Sequence, residues 1–142
     1  MPTTELIELA RAAAKNHALD SALVCAVIEQ ESAWDPHAIR YEPAFRIRYV
    51  APLGLSQTEE VARSISWGLM QLMGQLARER GFTGHFLSAL CDPPTGLDIG
   101  CTVLASKLSA TGGELAQALA LWNGGASATY APDVLARVPK YR

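Results

Sequence analysis

Apolar residues recur along this chain at helical spacing almost from end to end. Leu6, Ile7, Ala10, Ala13 and Ala14 form one stripe behind Thr4, whose hydroxyl suits an N-cap, and Asn16-His17 closes that helix. Asp20 is placed to cap a second helix with the stripe Leu23, Val24, Val27, Ile28 and Trp34. It should end at Asp35-Pro36, because the residue before a proline disfavours the helical region. Ser56 lies three residues before Glu59, a capping-box spacing that predicts a short helix over 56–64. Residues 65–73 read as a turn entering a helix that 75–80 completes, with Gly81 as its C-cap. After a short apolar piece at 84–90, Asp92-Pro93-Pro94-Thr95 starts a helix. Leu97, Ile99, Gly100, Val103, Leu104 and Leu108 carry it to Thr111, and Gly112-Gly113 breaks it. Leu115, Ala118, Leu119 and Trp122 are the buried stripe of a helix over 114–122, ended by Asn123-Gly124-Gly125, and a last helix runs from about 128 to 138. Almost nothing alternates with period two. The pattern predicts an all-α fold of about seven short helices.

One stretch escapes the periodicity. Residues 37–51 mix Tyr41, Phe45 and Tyr49 with Arg40, Arg46 and Arg48 around Glu42-Pro43. They read as a loop with short helical pieces. Such a loop is either a solvated irregular segment or one wall of a cleft, with aromatics against sugar faces and arginines against carboxylates. Length and composition narrow the class further. At 142 residues, 49% hydrophobic and 18% charged, the chain should form one globular domain over 1–142. A net charge of −2 argues against a nucleic-acid footprint. No apolar run approaches the roughly 20 residues that span a bilayer. The N-terminus has neither the basic nor the apolar region of a secretory signal, so synthesis in the cytoplasm without a signal peptide is expected. Three cysteines without metal-like spacing suggest reduced thiols, with Cys25 a small packed residue. His17 reads as a helix-end residue, and His37 and His85 as surface residues. No P-loop, dinucleotide fingerprint, zinc spacing or Ser-His-Asp pattern occurs, so no metal or cofactor is expected.

Candidate chemistry therefore rests on carboxylates, and one is out of place. Glu31 lies four residues after Val27 and three after Ile28, inside the apolar stripe, while Glu29 falls on the opposite side. An ionised carboxylate facing a core is costly, and burial raises its pKa toward what a general acid needs near neutral pH. Glu42, eleven residues on and past the helix end, is a possible second carboxylate. Holding a water across a cleft, about 6.5–9.5 Å from Glu31, it would make an inverting hydrolase. A salt bridge to Arg40 or Arg46 is the commoner fate of such a residue. Gly68 would let a backbone approach closely, and Gln71 is a two-sided hydrogen-bonding group.

Three blocks in order add to this. Glu31-Ser32-Ala33-Trp34-Asp35-Pro36, Gly68-Leu69-Met70-Gln71-Leu72-Met73 and Ala120-Leu121-Trp122-Asn123-Gly124-Gly125 resemble the signature blocks of soluble lytic transglycosylases, in the lysozyme-like superfamily. Asp98-Ile99-Gly100 resembles a further block loosely, and residues 130–138 sit where that family has a closing helix. The resemblance covers about residues 6–141. It implies a compact lysozyme-like domain around a substrate cleft, acting as a monomer on peptidoglycan glycan strands. It further implies cleavage of the β-1,4 bond between N-acetylmuramic acid and N-acetylglucosamine. Glu31 would protonate the glycosidic oxygen and then, as carboxylate, take the proton of the muramoyl C6 hydroxyl, which closes on C1 to give a 1,6-anhydro product without water. By the same match Met70 and Gln71 line the sugar sites, and Ser32 and Asn123 support the acid and the cleft floor. Tyr41 is expected in the cleft wall. Trp122 stands where the family commonly has a tyrosine that hydrogen-bonds the acid; it keeps a flat wall and an N–H donor but cannot accept a proton. The group that aims Glu31 is then expected elsewhere, at Tyr41, Tyr49 or Ser66. Two other outcomes compete: a muramidase-type hydrolase using Glu31 with Glu42 and water, and a non-catalytic wall-binding module. With no signal peptide expected, a phage endolysin or a cutter carried in a virion or secretion machine fits the wall as target.

Overall fold

The central helix of the larger core is α2 (Ser21–Ser32), in which every residue from Ala22 to Ile28 is buried. The structure, a computed structural model, describes residues 2–142. An apolar face on all sides marks a core helix rather than a one-striped surface helix, which widens the stripe expected from periodicity. Asp20 caps α2, its Oδ1 accepting from the Ala22 amide at 2.9 Å. The helix stops at Ser32, three residues before the expected Asp35-Pro36 boundary. Ala33 and Trp34 take left-handed backbone angles, φ 50° and 67°, and this early turn sends Trp34 into the core. There its indole N–H donates to the Tyr141 hydroxyl at 2.9 Å.

Around α2 lie α1 (Thr4–Asn16), α6 (Pro93–Ala110), α7 (Leu115–Trp122) and α8 (Tyr130–Arg137). The cap of α1 is Thr3 rather than Thr4: its Oγ1 accepts from the Leu6 amide at 3.1 Å, which satisfies an otherwise orphan first-turn donor. His17 ends α1 as expected, and its Nε2 lies 2.8 Å from Asp98 on α6. Helix α8 begins at Tyr130, two residues later than the pattern suggests.

A small antiparallel sheet accompanies the helices of this all-α fold. Strands β1 (Ile39–Tyr41), β2 (Ile65–Trp67) and β3 (Leu72–Met73) pair in that order, with Arg40 opposite Ser66 and Ser66 opposite Met73. Residues 65–73 are therefore a hairpin, not a turn entering a helix. Its turn needs Gly68 at φ +72°, and a Cβ there would lie 2.6 Å from the Leu90 carbonyl oxygen. Between β1 and β2 the chain forms the one-turn helix α3 (Pro43–Phe45), a π-helical turn at Arg46–Val50, a 3-10 turn at Ala51–Leu53 and α4 (Gln57–Arg63). Ser56 caps α4 by accepting from the Glu59 amide at 3.4 Å. Helix α5 (Gly74–Glu79) follows β3. Eight α-helices among the described residues thus make a predominantly helical molecule. No helix among them is long and apolar enough to cross a membrane.

The core has two parts. The larger joins α1, α2, α6, α7 and α8; the smaller gathers Leu72, Ala77, Leu87, Leu90 and Val103 beneath the sheet and α5. Trp122 packs against both.

Candidate active site

Glu31 stands in the last turn of α2, where the helix leaves the core and borders an open cavity of about 1060 Å³. One wall comes from the 39–53 segment, through Arg40, Glu42 and Tyr49; the other comes from α7 and α8, through Trp122, Asn123 and Tyr130. Burial pushes the Glu31 carboxyl up to about 7, while the Tyr130 hydroxyl and the charge of Arg40 pull it down. A carboxyl in that range is protonated in a useful fraction of the molecules near neutrality and still able to give its proton away.

Two residues earlier, Glu29 has the opposite fate. Burial opposes its charge too, but Lys140, Tyr141 and Arg137 hold its pKa down at about 2. Lys140 Nζ and the Tyr141 hydroxyl donate to its Oε1, each at 2.6 Å, and Arg137 donates to Oε2. The expectation that Glu29 faces away from Glu31 stands, but its carboxylate is enclosed by the C-terminal segment rather than left bare. Burial raises one carboxyl of the helix and donors lower the other, the usual way a fold separates a proton donor from a fixed anion.

Tyr130 replaces Tyr41, Tyr49 and Ser66 as the group that acts on the acid. Its hydroxyl is buried and has no partner of ordinary hydrogen-bond geometry among the described residues. It is close enough to Glu31 and Trp122 for both to act on it: burial and the Glu31 carboxylate raise its pKa, and the Trp122 N–H lowers it. Tyr41 lies outside the cavity lining, exposed, and accepts from Arg46 at 3.2 Å. Tyr49 sits at the rim, half-exposed. Ser66 donates to the Met73 sulfur at 3.0 Å. No spacing in the sequence pointed to Tyr130; it lies 99 positions from the acid and is brought there by α8 packing on α2.

The remaining blocks divide between wall and support. Gln71 lines the cavity with a left-handed backbone, φ 49°, and its amide nitrogen donates to the carbonyls of Ala38 at 2.9 Å and Gly68 at 3.0 Å. Both N–H bonds being committed, only its carbonyl oxygen is left for a ligand. Asn123 lines the cavity as well, and with its amide turned to satisfy its neighbours the oxygen accepts from Ser127 N at 2.9 Å and Ala126 N at 3.2 Å. Ser32 is a brace: its hydroxyl donates to the Leu69 carbonyl at 2.8 Å, tying the end of α2 to the hairpin. Met70 is 2% exposed and packs on Gly100, so it sits behind the wall instead of lining the sugar site as expected. Glu42 lines the cavity, and its Oε1 is 3.0 Å from Arg40 Nε, the salt bridge anticipated for it. Among the described residues no group of three or more His, Cys, Asp or Glu side chains is arranged to hold a metal ion.

Comparison with curated proteins and with solved structures returned no match. Comparison with protein families did: residues 8–132 match the model described as "Transglycosylase SLT domain", and the chain belongs to that family.

Proposed function

We propose that this protein is a peptidoglycan lytic transglycosylase in which Glu31 is the single general acid and base. Membership of the family supports lytic transglycosylase activity on peptidoglycan in general. The observation that carries the finer reading is the Glu31 carboxyl, set at the edge of a large open cavity with its pKa pushed up to about 7. In the resting state the protonated carboxyl donates to the glycosidic oxygen between N-acetylmuramic acid and N-acetylglucosamine. The carboxylate so formed then accepts the proton of the muramoyl C6 hydroxyl as that oxygen closes on C1. Acid and base are one group in turn, so bond breaking and ring closure need no water and no second carboxylate. Tyr130 lowers the Glu31 pKa and so favours the carboxylate stage.

One observation favours a second outcome. Glu42 lines the same cavity, where a carboxylate could activate water and give a hydrolase. Its ion pair with Arg40 supports a structural part instead. Digestion of purified peptidoglycan followed by mass spectrometry of the soluble fragments separates the outcomes. The expected products end in 1,6-anhydromuramic acid, and Glu31→Gln abolishes their release. Reducing ends would turn the assignment to hydrolysis, and no release by the folded protein would leave a wall-binding module.

A further inference from the structure

The irregular 37–51 stretch carries three arginines, and the structure separates them. Arg46 is consumed internally: its guanidinium lies 2.5 Å from Glu60 and donates to Tyr41. Arg48 stacks over Tyr49, its Cζ 5.0 Å from the ring centroid, outside the cavity lining. Arg40 differs from both. It lines the cavity that holds Glu31, its side chain is 76% exposed, and Glu42 is its sole ion-pair partner among the described residues. Its backbone is fixed, since Arg40 pairs with Ser66 in the sheet and the preceding Ala38 carbonyl accepts from both Gly68 N and Gln71. A guanidinium has five N–H donors, and one exposed carboxylate leaves most of them free. Arg40 and Lys107 are the cations in the cavity lining, and Arg40 is the one whose charge reaches Glu31.

We propose that Arg40 is a substrate-binding residue whose guanidinium takes a carboxylate carried by the muramic acid next to the scissile bond. The proposal rests on the transglycosylase reading above. Of the two sugars in the glycan strand, muramic acid alone bears the lactyl group, which ends in a carboxylate when bare and otherwise carries the peptide stem with its own carboxylates. An anion arriving in the cavity meets a fork held on a strand, the geometry in which arginine binds carboxylates by two parallel hydrogen bonds. Arg40 can keep its contact with Glu42, because the remaining donors of the guanidinium can take a second carboxylate.

The test couples a change in the protein with a change in the substrate. Wild type, Arg40→Gln and Arg40→Lys are assayed on strands with stems and on strands stripped to the free lactyl group, each before and after conversion of carboxylates to neutral amides. Amidation should raise the wild-type KM about tenfold on whichever strand supplies the carboxylate, the scale of one charge-assisted hydrogen bond. Arg40→Gln should show that rise already on unmodified strands and be insensitive to amidation; Arg40→Lys should keep part of the affinity. An effect confined to stem-bearing strands assigns the stem, and one confined to stripped strands assigns the lactyl carboxylate. Equal losses by Arg40→Gln on charged and neutral strands, or a wild type indifferent to amidation, would overturn the proposal. Should wild type release nothing from any strand, the transglycosylase reading fails, and the same comparison by strand binding to the Glu31→Gln protein judges Arg40 alone.

Discussion

Two carboxyls two residues apart on α2 face opposite electrostatic worlds, and each leaves a signature in solution. The Glu31 carboxyl rises from 4.5 to about 7 in the folded protein, so the fold disfavours its ionised form. Below pH 4.5 the group is protonated in both folded and unfolded chains and costs nothing. Between pH 4.5 and about 7 the unfolded chain ionises while the folded carboxyl keeps its proton, so stability is lost across that window and the loss is complete once the folded group ionises. Glu31→Gln removes this cost and should stabilise the protein by about 3 kcal/mol above pH 8, with little effect near pH 4. Thermal unfolding at the two pH values checks it; an equal shift at both would mean that the carboxyl is not held protonated. Activity follows the same group. The rate should fall on the alkaline side of about pH 7, as the proton to be donated is lost. Tyr130 acts in the other direction, lowering the Glu31 pKa. Tyr130→Phe should therefore move the alkaline limb of kcat/KM to higher pH and reduce the rate about tenfold or more. A lower rate with an unmoved limb would make Tyr130 a packing residue only.

At the scale of elements, the site is assembled by segments that packing and turn geometry place. The Ile65 to Met73 hairpin is the clearest case. Its residues read as a helix because a short apolar run has no period of its own, and its strand partner β1 lies 26 positions earlier, beyond any local window. What was legible was the exception: a glycine needed for close approach, which the structure sets against Leu90. Gly68→Ala combines a left-handed backbone with a collision against a carbonyl that cannot swing away, and should cost about 2–4 kcal/mol by urea unfolding. A loss below 1 kcal/mol, the scale of glycine's entropy alone, would mean that the turn relaxes. The caps at Asp20 and Ser56 were readable because side-chain-to-amide capping is local chemistry. Tyr130 and the partners of Glu29 were not, since the C-terminal segment meets α2 only after folding. That segment is itself testable. The Glu29 pKa is held at about 2, so its network stabilises fully above pH 4.5 and is lost as pH falls through 2. Glu29→Gln should lower Tm at pH 7, with the difference from wild type closing as the pH is brought down toward 2. A gap that persists at the lowest pH would assign the effect to the amide's fit instead of the ion pairs.

For the molecule as a whole, the cavity lies where two cores meet, and Trp122 is the side chain that belongs to both. A cleft between two packed bodies needs something to hold its width, and a flat indole at the end of α7 touches both sides while forming part of the wall. A tryptophan at this position fits this arrangement. Its N–H points its influence at Tyr130, lowering that hydroxyl's pKa, and Tyr130 in turn acts on Glu31. We infer that the indole acts on the acid at one remove, through Tyr130. The two parts of the role separate by substitution. Trp122→Ala strips contacts from both cores and should cost about 2–3 kcal/mol, below the figure for a fully buried tryptophan because this one is half-exposed. Trp122→Phe keeps most of the apolar wall, so its stability should stay within about 1.5 kcal/mol of wild type. It loses the N–H, however, which leaves Tyr130 a weaker donor and Glu31 with a higher pKa. The phenylalanine variant should thus be nearly as stable as wild type, slower, and displaced toward higher pH on its alkaline limb. If it matched wild type in rate and profile, the chain from indole to phenol to carboxyl would be broken at its first link. If Trp122→Ala unfolded at the wild-type urea midpoint, the indole would not join the two cores.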